Sequence, residues 1–178
     1  MKFIFKILIG IVIFIICILG IFLIGIGYYN YEESKFYNII IPKRLNFEKP
    51  IKSFNENQID SLQKLNVNSE KLIVSGNGFF GYDFYMWHKP TEKGEIFIKA
   101  FELTQSIELS EKRLRTKTNN KITGLSNKFK LYRGNTIIEE GTFDNFYPVR
   151  FELWFKSEKT GKEKKLNEKN YVIDGWDR

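Results

Sequence analysis

The chain has 178 residues, with 28 Lys and Arg against 21 Asp and Glu for a formal charge of +7, and it holds one cysteine and one histidine. Those counts exclude a disulfide framework, a Cys- or His-rich metal site and any relay that needs two histidines. The charges alternate in sign, as in Glu111-Lys112-Arg113 and Glu158-Lys159, which describes a solvated surface and not a nucleic-acid groove.

The chain begins with its most apolar stretch. Sixteen of the twenty residues from Ile7 to Ile26 are Ile, Leu, Val or Phe, and none is charged. At a rise of ~1.5 Å per residue such a helix is ~30 Å long, the thickness of a bilayer's hydrocarbon core. β-branched residues weaken a helix in water, but in lipid every backbone N–H and C=O must be satisfied within the segment, and only coiling does that. Residues 1–27 are therefore predicted to be a transmembrane anchor, with Ile7, Ile16 and Ile26 marking its start, middle and end.

The competing reading is a cleaved secretory signal, with Lys2 and Lys6 as its basic start and Gly25-Ile26-Gly27 as a small-x-small cleavage site. A signal's apolar region usually runs ~7 to 15 residues, and this one is longer, which favours retention. Ile16 is too large to precede a lipidated cysteine, so Cys17 is read as lipid-facing or helix-packing filler. Lys2 and Lys6 precede the span and Glu32 and Glu33 follow it, so the N-terminus is expected in the cytoplasm and the rest outside. Tyr28, Tyr29 and Tyr31 fall where an interfacial aromatic belt belongs, with Phe3 and Phe5 at the opposite boundary.

Residues 28–70 read as a stalk interrupted by Pro42 and Pro50, with one short helix where Ile59, Leu62 and Leu65 recur at helical spacing after Asn55 and Asn57. From residue 71 to 178 the pattern changes to short β-rich runs between Gly, Asn and Lys clusters, enough chain for one cysteine-free core. Phe79 to Trp87 reads as an aromatic strand, and Glu95 to Leu103, apolar on both faces, as a central one. Ser110 to Thr118 reads as a polar helical turn. Phe129 and Leu131 alternate with lysines, and Arg133-Gly134-Asn135 is read as a turn into Ile137-Ile138, making a hairpin. Phe151, Leu153 and Phe155 alternate with Arg150, Glu152 and Lys156, the clearest strand of all. The expected fold is mainly β, an N-terminal single transmembrane helix followed by an antiparallel β-sandwich, immunoglobulin-like or jelly-roll-like.

No run of residues selects a chemistry. Gly76-Asn77-Gly78-Phe79-Phe80-Gly81 matches G-x-G-x-x-G, but a dinucleotide site needs a helix to open at its end, and Tyr82 to Trp87 reads as strand. His88, beside Trp87 at a strand end, reads as a partly buried polar residue, and no G-x-S-x-G elbow accompanies it. Among the carboxylates Glu102, Asp144 and Glu152, nothing in the spacing picks a glycosidase pair, and Asp83, Asp144 and Asn145 show no EF-hand register. Trp87, Trp154 and Trp176 are the candidate interaction surface, since exposed rings offer contact area at little entropic cost, beside the plainer reading of all three as core or strand-edge aromatics. Trp154 stands out because alternation places it on the charged face.

The stretch Ile98-Lys99-Ala100-Phe101-Glu102-Leu103-Thr104-Gln105, with Leu109-Ser110 after it, and the ending from Arg150-Phe151-Glu152-Leu153-Trp154-Phe155 to Ile173-Asp174-Gly175-Trp176-Asp177-Arg178 resemble a group of bacterial membrane-anchored proteins without assigned function. The resemblance covers roughly the last eighty residues and brings no active-site residue with it. It implies bacterial origin and an envelope location. The expectation is a non-enzymatic protein of the inner (plasma) membrane, without cofactor or metal, whose exported sandwich binds an envelope protein or polymer or assembles a complex. The alternative is a glycan- or lipid-binding module that uses surface aromatics and the basic excess.

Overall fold

The computed structural model describes residues 2–38, 47–48, 53–77, 81–104, 106–138 and 146–174. Contacts divide the chain into one compact unit over Met1–Ile40 and a second over Ile41–Arg178.

The first unit is helix α1, Lys2–Asn38. Its stretch Lys6–Tyr31 is long and apolar enough to cross a membrane, and no residue of its most apolar window is buried. Ile7, Ile16 and Ile26 are all exposed on it. A stretch that is apolar all round and unburied along its length suits lipid and not water. Residues 28–38, read from the sequence as the start of a stalk, continue the helix. Hydropathy drops at Tyr28, but no proline intervenes before Pro42 to stop backbone hydrogen bonding.

The second unit contains a short strand β1 (Phe47–Glu48), helix α2 (Glu56–Gln63), strands β2 (Lys71–Gly76), β3 (Tyr82–His88), β4 (Gly94–Glu102) and β5 (Ile107–Leu109), helix α3 (Glu111–Lys117), and strands β6 (Asn120–Ile122), β7 (Lys130–Thr136), β8 (Phe146–Ser157) and β9 (Glu163–Asp174). Helix α2 opens with a capping box in which Asn55 and Gln58 each bond the other's backbone N–H. The large sheet runs β1-β9-β8-β4-β5, with β6 also on β4; the small sheet runs β2-β3-β7. All pairings are antiparallel except β1 on β9, which is parallel.

The sheets stack face to face. Phe151 lies at the centre of their shared core, with Phe84 of the small sheet edge-on at 5.5 Å, Tyr82 at 6.0 Å and Tyr171 at 5.9 Å. Such ring pairs add ~0.5 to 1.5 kcal/mol each beyond the area they bury. Ile96, Ile98, Val149, Leu153 and Ile173 fill the rest of the large sheet's inner face.

Each open side of the sandwich is closed by side chains. On one side the Tyr171 hydroxyl accepts from Val74 N–H at 3.4 Å, and Asn167 Nδ2 donates to the Glu70 carbonyl at 2.9 Å, joining β9 to the start of the small sheet. On the other side β5 and β6 pair with opposite ends of β4, at residues 100–102 and 94–96, and leave a gap between them. Ile98 lies in that gap, and its N–H donates to Thr118 Oγ1 at 2.9 Å. Thr118 in turn donates to the Leu114 carbonyl, so the end of α3 stands in for the missing strand.

The structure corrects the reading of Arg133-Gly134-Asn135 as a turn. These residues lie inside β7, paired with Tyr85, Phe84 and Asp83 of β3. A Cβ on Gly134 would come within 2.7 Å of Thr118 Cα, so the glycine permits close backbone approach of α3's end to the small sheet. The glycine-rich run that matches G-x-G-x-x-G joins β2 to β3, with Asn77 N–H donating to the Gly81 carbonyl at 2.8 Å. A strand, not a helix, follows it. Residues 78–80 lie outside the described residues.

Candidate binding surface

Side chains alternate across a strand, so the residues of β8 that do not enter the core share the outer face of the large sheet. Register sets them in rows: Phe101 beside Arg150 and Asn170, Lys99 beside Glu152 and Glu168, Phe97 beside Trp154 and Lys165, and Glu95 beside Lys156 and Glu163. A register shift between Leu153 and Trp154 brings Lys165, and not Leu166, opposite the tryptophan.

Glu152 is the centre of this face and is only 3% exposed. A buried carboxylate is stable only if donors surround it. Arg150 and Trp154, two residues to either side on the same strand, supply Nε at 2.7 Å and Nε1 at 2.8 Å, and Lys165 adds Nζ at 3.3 Å. Lys165 also donates to Glu168 at 2.7 Å, and that bond, with the charge of Glu152, raises its ammonium above the usual lysine value.

A second set of charges borders the first. Lys99 Nζ sits 4.5 Å from the centre of the Trp154 ring and donates to Glu163 at 3.0 Å. Arg115 from α3 donates to the other oxygen of Glu163 at 2.8 Å, and its guanidinium lies 3.5 Å from the centre of the Phe97 ring. Burial pushes the Glu163 carboxyl up, but the bonds and charges of Arg115 and Lys99 outweigh it and hold the group below its ordinary value. Glu108 on β5 has the opposite balance. Burial first, and then the charges of Glu111, Glu152 and Glu163, raise its carboxyl against the pull of Lys99, and its Oε1 is buried without a partner among the described residues.

The three tryptophans separate. Trp154 is half-buried on the charged face, with its indole fixed at the nitrogen by Glu152 and covered on the ring by Lys99. Trp87 is 2% exposed, which removes it from the expected surface. Phe84, Tyr85, Met86 and Trp87 are all buried, so β3 is covered on both faces and Trp87 is packing. Trp176 lies outside the described residues.

Among the described residues, the other sequence candidates are not brought together at one point. Glu102 points to the inner side of the large sheet, in step with Ile96, Ile98 and Ala100, and binds Thr104 through its N–H and hydroxyl. Glu152 points to the outer side, so the sheet separates the two carboxylates; Asp144 lies outside the described residues. His88 is buried, stacks on Phe155 at 5.2 Å and places Nδ1 3.0 Å from Glu70 Oε2. The roles of Lys99, Arg115 and Arg150 are not singled out by the sequence. The signal that could have found Arg150 was present: Arg, Glu and Trp at alternating positions must meet on one face.

Comparison with protein-family models, curated proteins and solved structures finds no match to the chain. The geometry of the outer face therefore carries the functional argument.

Proposed function

We propose that the chain is a single-pass protein of a bacterial inner membrane, with its N-terminus in the cytoplasm, and that its sandwich is a non-enzymatic module for binding an envelope protein or assembling a complex. The contact surface in this reading is the outer face of the large sheet around Trp154. The observation that carries it is the held indole: Glu152 bonds its nitrogen, Lys99 lies over its ring, and Arg115 and Arg150 stand nearby on aromatic neighbours. Trp and Arg are the residue types that dominate protein interfaces, and a side chain already fixed loses little entropy when a partner covers it. Sugar stacking on the same ring would first have to displace the Lys99 ammonium, which weakens the glycan alternative.

The test is copurification of the full chain in mild detergent at native expression, beside Trp154→Ala. A partner retained by the wild type and lost by the variant is expected. A partnerless monomer, or a glycan-array signal that Trp154→Ala abolishes, would overturn the reading.

A further inference from the structure

Lys99, Arg115, Arg150 and Lys165 on the sheet face are matched to carboxylates, so they do not account for the chain's basic excess. Lys2 and Lys6 hold two of the seven charges, leaving +5 for residues 28–178. Part of that excess gathers at one end of the sandwich. The connections β3–β4 (89–93), β6–β7 (123–129) and β8–β9 (158–162) all leave the strands at the end where Gly94, Ile122 and Ser157 meet in register. Two backbone bonds tie them together: Ser126 N–H to the Pro90 carbonyl at 2.9 Å, and Glu158 N–H to the Lys93 carbonyl at 3.0 Å.

These connections carry Lys89, Lys93, Lys128, Lys159 and Lys162 against Glu92 and Glu158. Glu92 accepts from the Ser157 hydroxyl at 3.1 Å. None of the five ammonium groups has a carboxylate partner among the described residues. Four of the five lysines are exposed and Lys89 is half-buried. Leu125 projects among them, 59% exposed. Its neighbour Gly124 has open space where a Cβ would stand, so nothing in the fold covers this loop there.

We propose that this end of the sandwich docks on an anionic lipid surface, with the lysines over acidic headgroups and Leu125 entering the interface. Clustered ammonium groups attract any polyanion, but a soluble polymer offers nothing for an exposed leucine. A membrane surface offers both, because interfacial binding adds buried apolar area to headgroup attraction. Each lysine near an acidic bilayer is worth roughly a fivefold change in binding, and the attraction is screened within a Debye length of about 8 Å at physiological salt. This surface is distinct from the Trp154 face, and neither reading requires the other.

The experiment places the full chain in phosphatidylcholine nanodiscs and measures their capture by vesicles of phosphatidylcholine with or without phosphatidylglycerol. Capture by the anionic vesicles only, falling with salt, is expected. Combined Lys128→Ala, Lys159→Ala and Lys162→Ala should weaken it by roughly fivefold per lysine removed. The same three positions as Arg should restore it, and circular dichroism confirms that each variant is folded. Leu125→Ser should weaken capture severalfold without changing its salt slope. Capture that ignores lipid charge, survives the alanine variant or fails at low salt overturns the proposal. So does an unchanged Leu125→Ser protein displaced by polyphosphate as readily as the wild type, which assigns the lysines to a soluble acidic polymer.

Discussion

Glu108 and Glu163 border the same charged face and titrate in opposite senses. Glu163 has two cations on it, whereas Glu108 has a buried oxygen without a donor and three carboxylates acting on it. A carboxyl raised in the folded state is fully stabilising only below its unfolded value, and it works against folding as pH climbs through the folded one. Glu108→Gln is therefore expected to melt higher than the wild type at neutral pH. The gap should close as pH falls below the carboxylate range, where the wild-type group is itself neutral. Thermal unfolding across pH checks this, and a variant less stable at neutral pH would show that Glu108 has a compensating donor.

At the scale of elements, the gap in the edge of β4 is the feature that local pattern could not reveal. Thr118 fills it with one hydroxyl that accepts from Ile98 and donates to Leu114. Thr118→Val keeps the shape and leaves a buried N–H unsatisfied, at a cost of about 1–3 kcal/mol. Urea unfolding should show a lower midpoint at unchanged slope. The alternation of Phe151, Leu153 and Phe155 was enough to find β8 and the outward place of Trp154, because a strand with one wet face writes its period into the sequence. Core and surface readings of Trp87 could not be separated by pattern, because β3 is buried on both faces and has no such period. Gly134 was misread because Arg-Gly-Asn has the local chemistry of a turn, while its actual purpose depends on Thr118, which approaches from another element.

For the whole molecule, the membrane-length helix and the sandwich are legible at different depths. Composition alone found the membrane-length helix, but the helix continues past the apolar stretch because coiling ends where hydrogen bonding is interrupted, and hydropathy does not report that. The proposal of a retained anchor makes a direct prediction about the mature chain. Intact-mass measurement after membrane extraction should find the N-terminal segment still attached. A species beginning at Tyr28 would mean cleavage between Gly27 and Tyr28 and a released sandwich.

Among the described residues, strand β1 meets the edge of β9 through Phe47 and Glu48, opposite Asn170 and Tyr171. A ladder of two residues has few hydrogen bonds to hold it, so it parts at a lower cost than the long ladders of β8 with β4 and β9. Local opening at that edge would leave the stacked sheets paired as before, since the ladders that enclose the core do not pass through β1.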